Sequence, residues 1–145
     1  MLSFEHTEQF DYPATAVFAL LADLDARPSW MDGIVEQRVT PEGPARLGTT
    51  YFESGKYGGY KGEKTSTVTE FEQDRLLTLK TLPDSPQEYR ESFRVQPISE
   101  NSCNVQFITQ IGGVPKVAEI FMRQTMKKGQ PQSAQRLKSV LANRA

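Results

Sequence analysis

Cysteine and histidine are nearly absent from this chain of 145 residues. Cys103 and His6 are the only residues of their kinds. A single cysteine leaves no partner for an internal disulfide and no thiolate cluster for a metal. Structural zinc sites need about four Cys or His ligands. We therefore expect no transition-metal site and no cofactor.

Long apolar runs and a secretory leader are missing as well. No apolar stretch approaches the roughly 18 residues of a membrane-spanning helix, and the N-terminus lacks the basic and apolar regions of a signal peptide. We therefore expect a cytoplasmic protein without membrane insertion. The hydrophobic fraction of 37% and the net charge of −1 are those of an ordinary folded protein. The length of 145 residues predicts a single domain over residues 1–145.

The motifs of phosphate cradles and hydrolases are also missing. The sequence contains neither G-x-G-x-x-G nor G-K-[ST], and no serine lies in a nucleophile-elbow context. His6-Thr7-Glu8 matches the H-x-E start of zinc deaminases, but the paired cysteines of those enzymes are absent. The glycine-rich stretch 54–62, SGKYGGYKG, predicts a hairpin loop. Its tyrosines either cover a site or belong to a merely flexible connection.

Positive charge is concentrated in the last third of the chain. Residues 1–25 contain five acids and no Lys or Arg, whereas the residues from Asn101 onward include seven bases and one acid, Glu119. One interpretation is a surface for an anionic partner, such as lipid headgroups or nucleic acid. The simpler one is a solvated helix face. On the simpler interpretation we expect no nucleic-acid partner.

The first third of the chain predicts a strand, a short helix and a turn. Residues 3–10 alternate between apolar-leaning and polar positions, which indicates a strand. Pro13 suits the first position of a helix, and Pro28 disfavours a helical residue before it and so ends that helix. Asp32-Gly33 is a turn signal. Along this predicted helix, one apolar stripe is formed by Val17, Leu20, Leu21 and Leu24.

The middle of the chain is rich in predicted strands, joined by short turns such as Gln73-Asp74. Successive strands with short connections predict an antiparallel meander with one covered face. The predicted strands are residues 34–40, 47–53, 64–71, 76–82, 88–95 and 105–111.

The C-terminal segment predicts a long helix from Pro115 to Asn143. If continuous, it would span about 40 Å. Gly129-Gln130-Pro131 should kink or break it, because proline removes a helix hydrogen bond. Two apolar groups lie on either side of that point, Val117, Ile120 and Phe121 before it and Leu137, Val140 and Leu141 after it.

Four stretches resemble the START/polyketide-cyclase-like superfamily (SRPBCC): FEHTEQFDYPATAVFALLAD, RPSWMDGI, RLGTTY and TVTEFEQDRLLTLKT. The resemblance implies an α+β helix-grip fold. In that fold a curved antiparallel sheet of about six to seven strands wraps around a long C-terminal helix, with two short helices after the first strand. It also implies a deep cavity between sheet and helix for small, largely apolar molecules. Glu8, where an apolar residue is common, and the stretch 129–131 depart from the family pattern.

His6 and Glu91 are the candidate catalytic residues, if the protein is an enzyme. His6 shares a strand face with Phe4 and Phe10, and it is either a proton-transfer group or a packed, hydrogen-bonded strand residue. Glu91 lies on the face of Tyr89. It is a functional acid, a partner of a buried base, or a solvated residue near the sheet edge. Glu53 has the same ambiguity.

Trp30 is either a cavity wall or a core residue packed between the short helices and the sheet. The other predicted cavity-lining residues are Phe18, Tyr51, Tyr89, Phe93, Phe107, Thr109, Phe121 and Thr125. Few candidate polar groups accompany these aromatic residues, which favours a binder of a small hydrophobic molecule. A cyclase/dehydratase-type enzyme is the alternative, and an interaction module that uses the basic C-terminal helix is the second. We expect a monomer or a homodimer.

Overall fold

The computed structural model describes residues 1–57 and 60–144. The prediction that the tyrosines of the glycine-rich loop cover a site concerns Tyr57 and Tyr60, whose side chains are outside the described part of the chain.

Seven strands form one antiparallel sheet, in the order β1-β7-β6-β5-β4-β3-β2. The first strand pairs with the last, so that Leu2 lies opposite Ile111 and Phe10 opposite Cys103. Shifts of register in β2, β4 and β6 interrupt the pairing, and such bulges bend a sheet. The strands are β1 (Leu2–Phe10), β2 (Ile34–Thr40), β3 (Thr50–Tyr57), β4 (Tyr60–Glu72), β5 (Leu76–Thr81), β6 (Tyr89–Ser99) and β7 (Ser102–Ile111).

Two short helices connect the sheet edge at β1 to the opposite edge at β2. They are α1 (Ala14–Ala22) and α2 (Arg27–Trp30), with a 3₁₀ turn at Leu24–Ala26 between them. All four residues of the predicted apolar stripe are buried, with Val17, Leu20 and Leu21 in α1 and Leu24 in the 3₁₀ turn. The expectation that Pro28 excludes a helical residue before it is wrong. Arg27 has helical torsion angles, since Pro28 occupies the start of α2, where its missing N–H costs nothing.

A third helix, α3, runs without interruption over Lys116–Arg144. The predicted break at residues 129–131 is therefore wrong. Pro131 lies inside the helix, and the residue before it ties the helix to the sheet. Gln130 Nε2 donates to Phe4 O at 3.4 Å and to Thr109 Oγ1 at 3.3 Å. Contacts of this kind offset the helix hydrogen bond that proline removes.

The two halves of α3 differ in burial. Its buried residues are Gln130, Ala134, Leu137 and Leu141, all in the second half. The apolar group predicted in the first half is exposed instead, and only Met122 and Met126 pack against the sheet there, on Leu2, Phe4 and Ile111. The main core lies between the concave face of the sheet and α1, α2 and the second half of α3.

Within residues 1–57 and 60–144, no helix combines the length and the apolar character that crossing a membrane requires.

Candidate functional site

Arg27 is a cation buried between α2 and the sheet, with a side chain that is 1% exposed. Its Nη2 donates a hydrogen bond to Glu91 Oε1 on β6 at 2.7 Å. The same nitrogen lies 3.9 Å from Glu53 Oε1 on β3. In the sheet, β5 and β4 separate β6 from β3. The curved face therefore brings two distant strands around one guanidinium.

The neighbouring carboxylates keep Arg27 charged. Burial alone would lower the pKa of the guanidinium, but Glu91 and Glu53 raise it above its ordinary value. Lys64 lies opposite Glu53 in the register of β3 and β4, and its Nζ is 3.4 Å from Glu53 Oε1. We call Arg27, Glu53, Lys64 and Glu91 the Arg27 cluster. Its two cations balance its two anions, as a group so deeply buried requires.

Tyr51 packs directly on this cluster. Arg27 Cζ lies 5.0 Å from the centre of its ring, and its hydroxyl donates to Gln37 Oε1 at 2.7 Å. Burial raises the pKa of Tyr51 to about 12; Glu53 acts in the same direction and Arg27 opposes it. The phenol is therefore protonated near neutral pH, where it serves as a hydrogen-bond donor and not as a base.

Three buried donor groups beside the cluster have no acceptor among the described residues: Arg27 Nε, Arg27 Nη1 and Trp30 Nε1. Arg27 Cζ lies 5.7 Å from the centre of the Trp30 ring, so the three belong to one region. A buried donor without an acceptor costs about 1–3 kcal/mol, and more when it is charged. This region can therefore donate hydrogen bonds to an oxygen atom of a small molecule.

Aromatic rings extend from these donors along the concave face. Trp30 contacts Phe93 edge-on with ring centres 5.8 Å apart, and Phe93 contacts Phe107 in the same way at 5.8 Å. Trp30 belongs to the main core, which agrees with the interpretation of a residue packed between the short helices and the sheet. We call Trp30, Phe93 and Phe107 the aromatic wall.

His6 lies at the other edge of the sheet and has its own partners. Its Nε2 is hydrogen-bonded to Glu8 Oε1 at 2.8 Å, and its side chain is 25% exposed. Lys138 Nζ on α3 lies 2.5 Å from Glu8 Oε2. Partial burial alone would raise the pKa of the Glu8 carboxyl, but Lys138 and His6 hold it below its ordinary value. Glu8, which departs from the family pattern, is thus a strand residue that pairs with His6 and Lys138.

His6 and Glu91 do not form an acid–base pair. The strands that carry them, β1 and β6, lie on opposite sides of β7. His6 faces Phe107 in the register and Glu91 faces Thr109. The imidazole is bonded to Glu8 and the Glu91 carboxylate to Arg27. Of the alternatives for Glu91, the structure matches the partner of a buried base.

The remaining predicted lining residues do not all come together. Phe18 packs edge-on against Phe71, with ring centres 5.6 Å apart, in the core beneath α1. Tyr89 is half-buried, and Lys64 Nζ lies 3.4 Å from the centre of its ring. Thr109 accepts the hydrogen bond from Gln130. Tyr89 therefore borders the Arg27 cluster, while Phe18 does not.

Phe121 and Thr125 lie on the solvent side of α3, and Phe121 is 62% exposed. The structure therefore does not place these two predicted cavity-lining residues between sheet and helix. The physical reason is which side of α3 faces the sheet. Met122 and Met126, each one position further along the chain, occupy the side that contacts β1 and β7.

The sequence analysis did not identify Arg27 and Gln130, whose buried side chains donate hydrogen bonds to Glu91 and Thr109 in the sheet. A signal for Arg27 existed, because two inward-facing acids, Glu53 and Glu91, require a buried cation. Arg27 is also the first Lys or Arg of the chain and lies in RPSW. Strand alternation does not show which basic residue pairs with these acids, because that depends on distances in the folded structure.

Two hollows in the described part of the chain lie outside the space between sheet and α3. One, of about 460 Å³, lies beside α3 and is lined by Asp11, Tyr12, Gln135, Lys138, Ser139 and Ala142. The other, of about 370 Å³, is lined by Thr67, Thr69, Lys80, Thr81, Leu82, Pro83, Ser85 and Glu88. The concave face itself is occupied by Arg27, Tyr51 and the aromatic wall.

Metal ligands do not gather anywhere in the described ranges. No group of three or more His, Cys, Asp or Glu side chains comes together there. Burial raises the pKa of the Cys103 thiol, which disfavours the thiolate that metals bind.

Several solved structures share this fold. A START superfamily protein from Mycobacterium smegmatis has a TM-score of 0.81 and 13% identity, with 99% of each chain covered. An aromatase/cyclase from a Streptomyces species has a TM-score of 0.71 and 14% identity, covering 97% of this chain and 92% of its own. Norcoclaurine synthase from Thalictrum flavum, in complex with dopamine and hydroxybenzaldehyde, has a TM-score of 0.72 and 13% identity, covering 99% and 87%. At such identities the likeness shows the fold alone.

No curated protein matches the sequence as a relative. A family model described as polyketide cyclase / dehydrase and lipid transport matches residues 1–142. The seven-stranded sheet, the two short helices and the long C-terminal helix agree with the helix-grip fold that the resemblance implied. The chain therefore belongs to the polyketide cyclase / dehydrase and lipid transport family.

Proposed function

We propose that this protein binds a small hydrophobic molecule that carries a neutral oxygen acceptor, such as a ketone or an ester. The observation that carries the proposal is the group of buried donors on Arg27 and Trp30 that have no acceptor among the described residues. A ligand oxygen would satisfy them, and the apolar body of the ligand would pack on the aromatic wall. Apolar walls with a few placed polar groups are typical of small-molecule sites.

The charge balance of the Arg27 cluster favours a neutral ligand over an anionic one. Glu91 and Glu53 already lie 2.7 Å and 3.9 Å from the Arg27 guanidinium. A ligand carboxylate would lose its hydration and meet two like charges in the same buried space. A carbonyl oxygen accepts the same hydrogen bonds without that electrostatic cost.

The ligand would enter past Tyr89 and Lys64. The exposure of the side chains rises from 1% at Arg27 to 25% at Lys64, and Tyr89 is half-buried beside it. Because the concave face is filled in this structure, binding requires the aromatic wall or the weakly packed first half of α3 to move. Changes of this kind on ligand binding are common in proteins.

The alternative of a cyclase/dehydratase-type enzyme has less support. The family description includes cyclases and dehydrases, and the donors of Arg27 could polarise a bound carbonyl. However, His6 and Glu91 are bonded to separate partners, and Tyr51 is protonated near neutral pH. A binding role therefore agrees better with the geometry.

Calorimetric titration with three naphthalenes of matched size tests the proposal: acetylnaphthalene, naphthoate and ethylnaphthalene. We expect the ketone to bind at least tenfold more tightly than the carboxylate and the hydrocarbon, because a hydrogen bond from a charged group contributes about 1.5–3 kcal/mol and about 1.4 kcal/mol is tenfold in affinity. Tighter binding of naphthoate, or equal binding of all three, would refute the proposed acceptor site.

A double variant, Arg27→Met with Glu91→Leu, removes the two donors of Arg27 together with their paired charge. It should remove most of the preference for the ketone, because only Trp30 Nε1 remains as a donor, while binding of ethylnaphthalene remains. Arg75→Met, at an exposed arginine, is the matched control and should leave all three affinities unchanged. A preference that the double variant leaves undiminished would assign ketone recognition to another part of the protein.

A further inference from the structure

The first half of α3 presents three apolar side chains to solvent. Val117 is 90% exposed, Ile120 69% and Phe121 62%. Spacings of three and four residues place them on one side of the helix. Single exposed apolar residues are ordinary, but a contiguous exposed apolar group marks an interaction surface.

Three lysines share this side of the helix. Lys116 lies one turn before Ile120, and Lys127 and Lys128 lie about two turns after the apolar trio. In the described part of the chain, none of these three ammonium groups pairs with a carboxylate. We call the six residues the α3 surface: Lys116, Val117, Ile120, Phe121, Lys127 and Lys128.

The one acid in this half of the helix is already neutralised. Glu119 pairs with Arg123 at 2.9 Å. The α3 surface therefore carries a net positive charge next to an apolar patch, a combination that suits an anionic and apolar partner.

The start of α3 lies at the end of the sheet where the proposed ligand would enter. α3 begins shortly after Ile111, which pairs with Tyr89 at the start of β6. The amide of Gly112 donates to Glu88 O at 2.9 Å, which ties the start of the helix segment to the connection before β6. A partner bound at the start of the α3 surface would therefore lie close to Tyr89, where the proposed ligand would enter.

We propose that the α3 surface docks on an anionic lipid bilayer. The apolar trio is exposed and lies beside three lysines, which suits insertion among the acyl chains of a bilayer with anionic headgroups. The three lysines would contact anionic headgroups. Interfacial helices bind membranes through this combination of buried apolar side chains and basic flanks. The docking is peripheral, and it does not depend on the proposed acceptor site.

Co-sedimentation with vesicles tests the docking. We expect binding to vesicles of phosphatidylcholine mixed with phosphatidylserine, weaker binding to pure phosphatidylcholine, and loss of most binding as salt is raised, because salt screens the headgroup charge. The triple variant Val117→Ser, Ile120→Ser, Phe121→Ser should bind at least tenfold less. The double variant Lys127→Gln, Lys128→Gln should bind roughly 25-fold less, or about fivefold for each charge.

Matched control variants remove equivalent residues elsewhere on the surface. Val35→Ser, Leu47→Ser and Ile98→Ser change three exposed apolar residues away from α3, and Arg75→Gln with Arg94→Gln changes two exposed bases. Both controls should bind vesicles as the unchanged protein does. All variants alter exposed positions, so their urea unfolding midpoints and their affinity for acetylnaphthalene should stay the same. The ligand titration thus reports separately on the acceptor site.

Three results would overturn the docking proposal. They are no binding to anionic vesicles at low salt, binding that the triple serine variant does not weaken, and a dimer in sedimentation equilibrium that this variant dissociates. The last result would assign the α3 surface to contact between two copies of the chain.

Discussion

Arg27 Nη2 and Glu91 Oε1 are joined by a 2.7 Å hydrogen bond between side chains that are 1% and 9% exposed. The two residues are 64 positions apart in the sequence. Their bond ties the short helix α2 to the centre of the sheet and places a charged group inside a largely apolar interior. The proposed acceptor site and the first prediction both depend on it.

Arg27→Met should destabilise the protein strongly, because Glu91 would be left buried without its cation. Breaking one side of a buried ion pair costs about 3–5 kcal/mol. The double variant Arg27→Met, Glu91→Leu should recover most of that loss, since Glu53 keeps Lys64 as its partner. Urea unfolding followed by the fluorescence of Trp30, the only tryptophan, measures both. A double variant no more stable than the single one would contradict this account of the pair.

Glu8→Gln should remove an acid-sensitive part of the stability. The pKa of Glu8 is lowered in the folded protein, so its stabilising effect is fully present above the unfolded pKa of about 4.3 and is lost as pH falls through the folded pKa. The variant should therefore lose about 1 kcal/mol or less near neutral pH and vary less with pH on the acid side. Glu5→Gln, on the exposed face of the same strand, is the control. Identical pH profiles for the two variants would argue against the Glu8 pairs.

Tyr51 should make the protein sensitive to alkali. Its pKa is raised to about 12 in the folded protein, so above about pH 10 the unfolded chain loses the proton first and stability falls as pH rises. The loss should reach roughly 2–3 kcal/mol near pH 12. Unfolding midpoints and tyrosinate absorbance check this, with Tyr51→Phe expected to flatten the decline and Tyr12→Phe as the control. Parallel declines in all three proteins would contradict it.

Substitution by alanine should lower the stability at Gly113, just before α3, and raise it at Gly129, inside α3. A Cβ at Gly129 would meet no atom within 4 Å, and alanine in a helix interior is more stable than glycine by about 0.5–1 kcal/mol. Gly113 has a φ of +72°, so Gly113→Ala should cost about 1 kcal/mol or more. Thermal or urea unfolding measures both. A loss of stability in Gly129→Ala would indicate that the helix needs flexibility there.

Most of the architecture could be predicted from local patterns. The alternation of β1, the Pro-started helix with its four-residue stripe, and the turns at Asp32-Gly33 and Gln73-Asp74 all appear where the sequence indicated them. These features depend on residues within a few positions of one another. The period of apolar residues and the torsion limits of Pro and Gly therefore decide them.

The candidate site could be predicted only in part. Strand alternation indicated that Glu91 and Tyr51 could face inward, and both are buried. It did not indicate that Arg27 would lie between Glu53 and Glu91, because that position depends on sheet curvature and on how α2 crosses from one edge to the other. The prediction for Phe121 failed for a related reason. An apolar residue on a helix is buried only if the helix turns that side to the sheet, and tertiary packing sets that direction.

The sequence by itself determined the order of elements, the family and the supply of aromatic side chains, since each follows from local pattern or from composition. Tertiary structure alone decided which charges meet. It placed Arg27 against Glu91 and Tyr51, paired His6 with Glu8 at the far edge, and left the apolar start of α3 in solvent. The physical reason is that the energy of a buried charge or an exposed apolar side chain depends on its neighbours in space, which lie far apart along the chain.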